Sequence, residues 1–217
     1  WNYKLEATES NYIDPKYCEL PVIGGWFGGK KGNYETFMSI QADVIIESTS
    51  MYQSDEKSTE LANEITRNCG GVPVVIMHDY IDRYNETLTF MGNLLGKQEK
   101  AAELAAYYNK IMTTIVPRAA QIPENERVKV YYAEGPAGLK TDPRDSRHAR
   151  VLDRAGGINV AESPLKTGFG RMEVSLEQIA SWDPDVIIVG SEGFYKKVFD
   201  DSKWQVLRAV QNKKVYL

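Results

Sequence analysis

Along residues 98–116 (QEKAAELAAYYNKIMTTIV) apolar side chains recur at steps of three and four: Ala101, Leu104, Ala105, Tyr108, Ile111, Met112 and Ile115. That spacing draws one stripe along a helix and leaves Glu99, Glu103 and Lys110 on the polar side. Ala, Leu, Glu, Lys and Met are strong helix formers, so propensity agrees with pattern. About 19 residues at ~1.5 Å each make a rod of roughly 28 Å. Pro117 has no N–H and is expected to end or bend the rod, with 118–121 continuing beyond a bend.

Short apolar runs alternate with helical patterns on both sides of this rod. Before it, the pattern predicts an apolar strand at 20–24, a glycine-rich loop at 25–32 and a helix capped by Asn33 and running to Ile40. A buried-type strand at 42–47, an amphipathic helix over Asp55–Asn68 stopped by Gly70 and Gly71, a strand at 72–77 and a helix at 87–95 follow. After the rod come a strand at 127–132, a Gly/Pro-rich loop at 134–144 and a helix opened by Asp145 or Ser146 and closed by Gly156-Gly157. A short strand at 159–160, a second glycine-rich loop at 168–172, a helix from the Ser175-x-x-Gln178 capping box to Trp182, a strand at 186–189, a helix at 203–209 and a last strand at 214–217 complete the pattern. Continuous apolar strands alternating with helices predict parallel sheets covered on both faces.

The two flanks also resemble each other. Residues 33–46 (NYETFMSIQADVII) align without gaps on 175–188 (SLEQIASWDPDVII): a cap, a short amphipathic helix, a turn, then a strand entered through Asp. The expected fold is α/β, with two similar Rossmann-like lobes joined by a single long helix. The boundaries are 1–96 for the first lobe, 97–121 for the spine and 122–217 for the second lobe.

Composition narrows the partners. The chain is 42% hydrophobic and 26% charged, with a net charge of −4, a balance that argues against non-specific nucleic-acid binding. No apolar run approaches the ~18 residues of a membrane-crossing helix. Cys18 and Cys69 lack metal-type spacing, leaving a single disulfide or two buried thiols.

Open parallel sheets present ligands at the carboxyl ends of their strands, here 24–27, 47–52, 78–80, 133–135 and 190–192. Trp26, in the first glycine-rich loop, is a stacking candidate. Met51 and Tyr52 follow a strand end and can cover or ligate a metal centre. Ser146-Arg147-His148 is expected to open a helix, which would set free N–H groups beside a cation and an imidazole. That set suits a carboxylate, phosphate or oxyanion, and His148 is also a candidate metal ligand. Arg171, after Gly168-Phe-Gly170, is a second cation, and together the two arginines predict a positive site that an anion would fill. His78-Asp79 is compatible with acid–base chemistry, but no nucleophile with a partner, phosphate-binding loop or paired His/carboxylate helix motif accompanies it. The competing class is a two-lobe chelatase-like or metallocluster enzyme.

The phrase Val174-Ser-Leu-Glu-Gln-Ile-Ala-Ser-Trp-Asp-Pro-Asp-Val-Ile-Ile188 resembles the second-lobe motif of solute-binding proteins of ABC importers, in the class handling iron chelates, haem, vitamin B12 and some metal oxyanions. Gly138-Leu-Lys-Thr-Asp142, Ser146-Arg-His148, 155–161 (AGGINVA) and Gly32-Asn-Tyr-Glu35 are similar to that class too. The resemblance implies an extracytoplasmic, monomeric binding protein whose ligand sits in a cleft between two α/β lobes. Trp26, Tyr52, Arg147, His148 and Arg171 would line that cleft. It implies an anionic metal chelate (iron–siderophore or haem type, or cobalamin) as solute, with molybdate or tungstate as the alternative. It implies no resident cofactor, because the metal would travel with the solute. A membrane permease is the implied partner, with Glu56 in the first lobe and Asp200 in the second as docking carboxylates. The family's usual first strand and C-terminal helices have no counterpart here, which implies a parent chain longer at both ends.

Overall fold

A computed structural model describes residues 13–25, 32–49, 54–78, 81–144, 146–162 and 171–217. By its internal packing the chain divides into two compact units, Trp1–Asp79 and Tyr80–Leu217.

In the first unit a one-turn helix α1 (Pro15–Cys18) precedes α2 (Tyr34–Ile40), β1 (Ile45–Thr49), α3 (Asp55–Asn68) and β2 (Val74–His78). Asn33 starts α2 as expected: its side-chain oxygen accepts from the N–H groups of Glu35 (3.0 Å) and Thr36 (3.3 Å). Ser54 caps α3 through the Lys57 N–H, and the helix closes when Gly71, at φ +90°, returns its N–H to the Thr66 carbonyl (2.9 Å). The two strands run parallel, from Ile45 opposite Val74 to Thr49 opposite His78. Phe37, Ile45, Ile65 and Cys69 form the core beneath them.

The strand expected at 20–24 is absent. Pro21 removes a donor, Gly24 turns the chain at φ +75°, and Leu20 and Val22 are about half exposed rather than packed. Cys18 and Cys69 are both free thiols; burial pushes the Cys69 thiol up from its ordinary pKa.

The second unit begins with a 3-10 turn (Ile81–Arg83), α4 (Tyr84–Leu94) and α5 (Gln98–Ala120). The α4–α5 turn is tight: a Cβ added at Gly92 would lie 2.3 Å from the Ala101 Cβ. The long helix is continuous through Pro117, which forfeits only the bond to the Thr113 carbonyl and lies in the closing turn. Its apolar stripe is only part-covered. Ala101 and Ala119 are buried, while Leu104, Ile111 and Ile115 each keep about 40% of their surface exposed.

Beyond α5 come β3 (Lys129–Ala133), β4 (Lys140–Thr141), α6 (Arg150–Arg154), β5 (Ile158–Asn159), β6 (Met172–Glu173), α7 (Leu176–Trp182), β7 (Val186–Val189), α8 (Glu192–Val198), α9 (Arg208–Gln211) and β8 (Val215–Tyr216). β5-β3-β7-β8 is an all-parallel sheet, so the chain first adds β5 on one side of β3 and then crosses to add β7 on the other. The switch of direction lies between the carboxyl ends of β3 and β7, where open α/β sheets bind ligands.

The unit seen twice in the sequence is built twice. α2 and α7 are both seven-residue helices with a side-chain N-cap, each ending on a left-handed residue, Gln41 (φ 53°) and Asp183 (φ 47°), before its strand. The helix expected at 203–209 is a 3-10 turn (Trp204–Val206) and α9, separated by the extended, buried Leu207. α8 had no distinct apolar period because only Phe194 and Val198, one turn apart, are buried. They join Tyr131, Ile179, Ile187, Trp204, Leu207 and Val215 in the core.

Candidate functional site

Side chains alternate across β3, so Tyr131 turns into the core while Tyr132 faces the other way, and Glu134 follows at the strand end. The Tyr131 hydroxyl donates to the Gly138 carbonyl (2.8 Å), fastening the loop that leads from Glu134 to β4. Gly138 itself, at φ +68°, lies against the Phe194 ring; a Cβ there would come within 2.4 Å of it. β4 pairs antiparallel with β6, an arrangement the two glycine-rich loops gave no sign of, and this ribbon brings Arg171 back beside β3.

After β4 the chain dives. Thr141, Asp142 and Pro143 are fully buried, and Asn159, at the end of β5, donates its amide to the Asp142 carbonyl (2.9 Å). Ser146 then makes a turn, its hydroxyl accepting from the Ala149 N–H (3.2 Å), and this turn carries Arg147 and His148. The helix expected to open at 145 or 146 therefore starts only at Arg150 and spans five residues. Arg147 and His148 sit ahead of it, so the expected dipole and free N–H groups behind them are not part of the site.

The structure brings Arg147, His148 and Arg171 to one place together with two acids. His148 Nδ1 and Asp142 Oδ2 are 2.5 Å apart, and Arg147 Nη2 is 3.4 Å from His148 Nε2. Arg171 donates from Nε to Glu134 Oε2 at 2.7 Å. The expectation of a purely cationic site is corrected accordingly: Arg171 and His148 each have a carboxylate from their own unit. The hydrogen bond with Asp142 raises the His148 pKa above its ordinary value, against burial and the Arg147 charge. Burial and then the Glu134 charge push the Tyr132 phenol up. Asp142 is wholly enclosed, and its Oδ1 has no hydrogen-bond partner among the described residues. Glu134, Asp142 and His148 each offer a ligand-type atom within 4.8 Å of the other two.

Trp26, Met51, Tyr52 and Asp79 lie outside the described residues. Glu56, in the first turn of α3, and Asp200, just after α8, are both exposed. Glu134 and Asp142 were missed as site residues. The strand-end rule covered 133–135, but nothing distinguished Glu134 there, and Asp142 was noted only as the last residue of the Gly138–Asp142 motif.

The family model described as periplasmic binding protein matches residues 17–217. The molybdate-binding protein MolA of Haemophilus influenzae is 27% identical over 142 residues, covering 64% of this chain and 38% of that protein. The Fe(3+)-citrate-binding protein YfmC of Bacillus subtilis is 24% identical over 192 residues, covering 85% of this chain and 56% of that one. An ABC transporter solute binding protein from Sulfurospirillum deleyianum superposes with a TM-score of 0.84 at 38% identity, over 94% of this chain and 62% of that one. The chain thus spans between about two fifths and three fifths of the length of these relatives.

Proposed function

The chain belongs to the periplasmic binding protein family, and from that membership we propose that it is the extracytoplasmic solute-binding component of an ABC importer for an anionic, metal-containing solute. The observation that carries the choice of solute is the convergence of Arg147, His148 and Arg171 around the end of β3, beside the topological switch of a parallel sheet. Three nitrogen-bearing side chains there offer charge-assisted hydrogen bonds to a polyanion. Arg171 holds Glu134 through Nε, which leaves the guanidinium fork's outer edge for a solute oxygen.

An iron–carboxylate or siderophore chelate, haem or cobalamin is the leading solute class, in line with the Fe(3+)-citrate-binding relative. A small oxyanion such as molybdate is the second reading, favoured by the molybdate-binding relative. Trp26 and Tyr52 complete the proposed binding set, and Glu56 and Asp200 the proposed permease contacts. No helix among the described residues is long and apolar enough to cross a membrane; a membrane permease is the proposed partner, in keeping with the family. Binding, rather than turnover, is the activity of this family.

Titration calorimetry with ferric citrate, a ferric siderophore, haem, cobalamin and molybdate tests the reading. One of these should bind, and Arg147→Ala and Arg171→Ala should each weaken it by about 1.5–3 kcal/mol, the range for a hydrogen bond to a charged group. A solute held equally well by both variants, or no binding by any of the five, would sink it.

A further inference from the structure

Glu134, Asp142 and His148 come from three separate stretches: the end of β3, the buried segment after β4 and the turn before α6. Each contributes one donor atom, and all three donors lie within 4.8 Å of one another, close enough to share a single ion. A second observation points the same way. Asp142 has no exposed surface, yet its Oδ1 is left without a hydrogen-bond donor among the described residues. A buried carboxylate oxygen with no partner is costly, and such groups in folded proteins call for a reason. The backbone around it is well fastened, with Asn159 on the Asp142 carbonyl and Ser146 closing the next turn, so the carboxylate is held in place rather than stranded by loose packing. Of the cluster's members His148 is the solvent-facing one, its side chain 44% exposed.

We propose that Glu134, Asp142 and His148 form a site for a bare divalent transition-metal ion, distinct from any metal carried inside the solute. Two carboxylate oxygens and one imidazole nitrogen suit borderline ions such as Zn²⁺ and Co²⁺ and disfavour the all-oxygen preference of Ca²⁺ or Mg²⁺. Three protein ligands leave one or more coordination positions open to water or to a donor atom of the solute. In the structure Arg171 supplies positive charge to Glu134 at 2.7 Å. An incoming cation competes with that guanidinium for the same carboxylate, which makes Arg171 an antagonist of the ion although it is an ally of an anionic solute. The site stands whether or not the proposed solute is the right one, since it is defined by side chains of the second unit alone.

The test uses the full chain freed of metal by chelator dialysis, with Co²⁺ followed by its visible ligand-field bands and Zn²⁺ by calorimetry. One equivalent should bind. His148→Ala and Asp142→Asn should each weaken binding by more than roughly tenfold, the lower limit for loss of an outer-shell partner. Arg171→Ala should tighten it, the opposite of its effect on an anionic solute. Circular dichroism of each variant checks that the fold persists, and Glu134→Gln gives a second ligand variant should Asp142→Asn fail to fold. Absence of binding in the wild type overturns the proposal. So does binding that survives in both His148→Ala and Glu134→Gln, since the ion would then be held elsewhere. Failure of all five solutes with Zn²⁺ still bound would count against the solute reading only.

Discussion

Tyr131 has no exposed surface, and its hydroxyl is spent on the Gly138 carbonyl of the loop that leads to Asp142. Replacing it by Phe keeps the ring in the core but removes that donor. Tyr131→Phe should therefore lower unfolding free energy by about 1–3 kcal/mol in denaturant titrations, the cost of leaving a buried group unsatisfied. Arg147, His148 and Arg171 were legible in the sequence because a cation beside a glycine-rich or capped loop is a local signal. Their partners were not. Glu134 meets Arg171 across 37 positions through the β4–β6 ribbon, and Asp142 meets His148 across 6 through the buried turn at Ser146; neither pairing follows from any period in the chain. The same gap explains why the site looked cationic: the arginines announce themselves, while single acids in turns look solvated. The thiols were left open by the sequence and are separate in the fold. Alkylation of the native protein should accordingly label the part-exposed Cys18 well before the buried Cys69.

At the scale of elements, the long helix, α2, α3 and α7 were readable to within a few residues, because period, cap and stop signal agreed. The strand at 20–24 misled because its apolar residues were read without weighing Pro21, and α8 was hidden because two buried residues make no stripe. The packing of α4 on α5 depends on Gly92 for space. Gly92→Ala places a methyl 2.3 Å from the Ala101 Cβ, so the helices must part, at a cost of about 1–3 kcal/mol measurable as a lower denaturation midpoint. A second tie fastens the 3-10 turn before α4 to α6: Asp82 takes Arg154 Nη2 at 2.6 Å and Arg150 Nη1 at 2.7 Å. The Arg154 hydrogen bond, helped by Arg150, holds the Asp82 carboxyl below its ordinary pKa despite burial. A depressed acid stabilises the fold above its unfolded pKa and stops doing so as pH falls through the folded value. Thermal unfolding should thus show an acid-side loss of stability beginning near pH 4 that is smaller in Asp82→Asn.

For the molecule as a whole, Glu56 and Asp200 are exposed carboxylates, one in each unit, whose proposed work is recognition of basic residues on a permease. Exposed pairs of this kind act mainly on encounter and are weakened by salt. The double reversal Glu56→Lys with Asp200→Lys should reduce solute uptake in a reconstituted importer, most at low ionic strength, while calorimetric solute affinity stays at the wild-type value. The repeated cap–helix–turn–strand unit has one copy in each of the two units. Asp142 extends these considerations from function to heredity. Because its Oδ1, unmatched among the described residues, burdens the second unit, a mutagenised population screened only for surviving heat should drift away from acid at position 142, while one screened for ion or solute capture should retain it. Sequencing both survivors would reveal a position where endurance and usefulness pull the lineage in opposite directions.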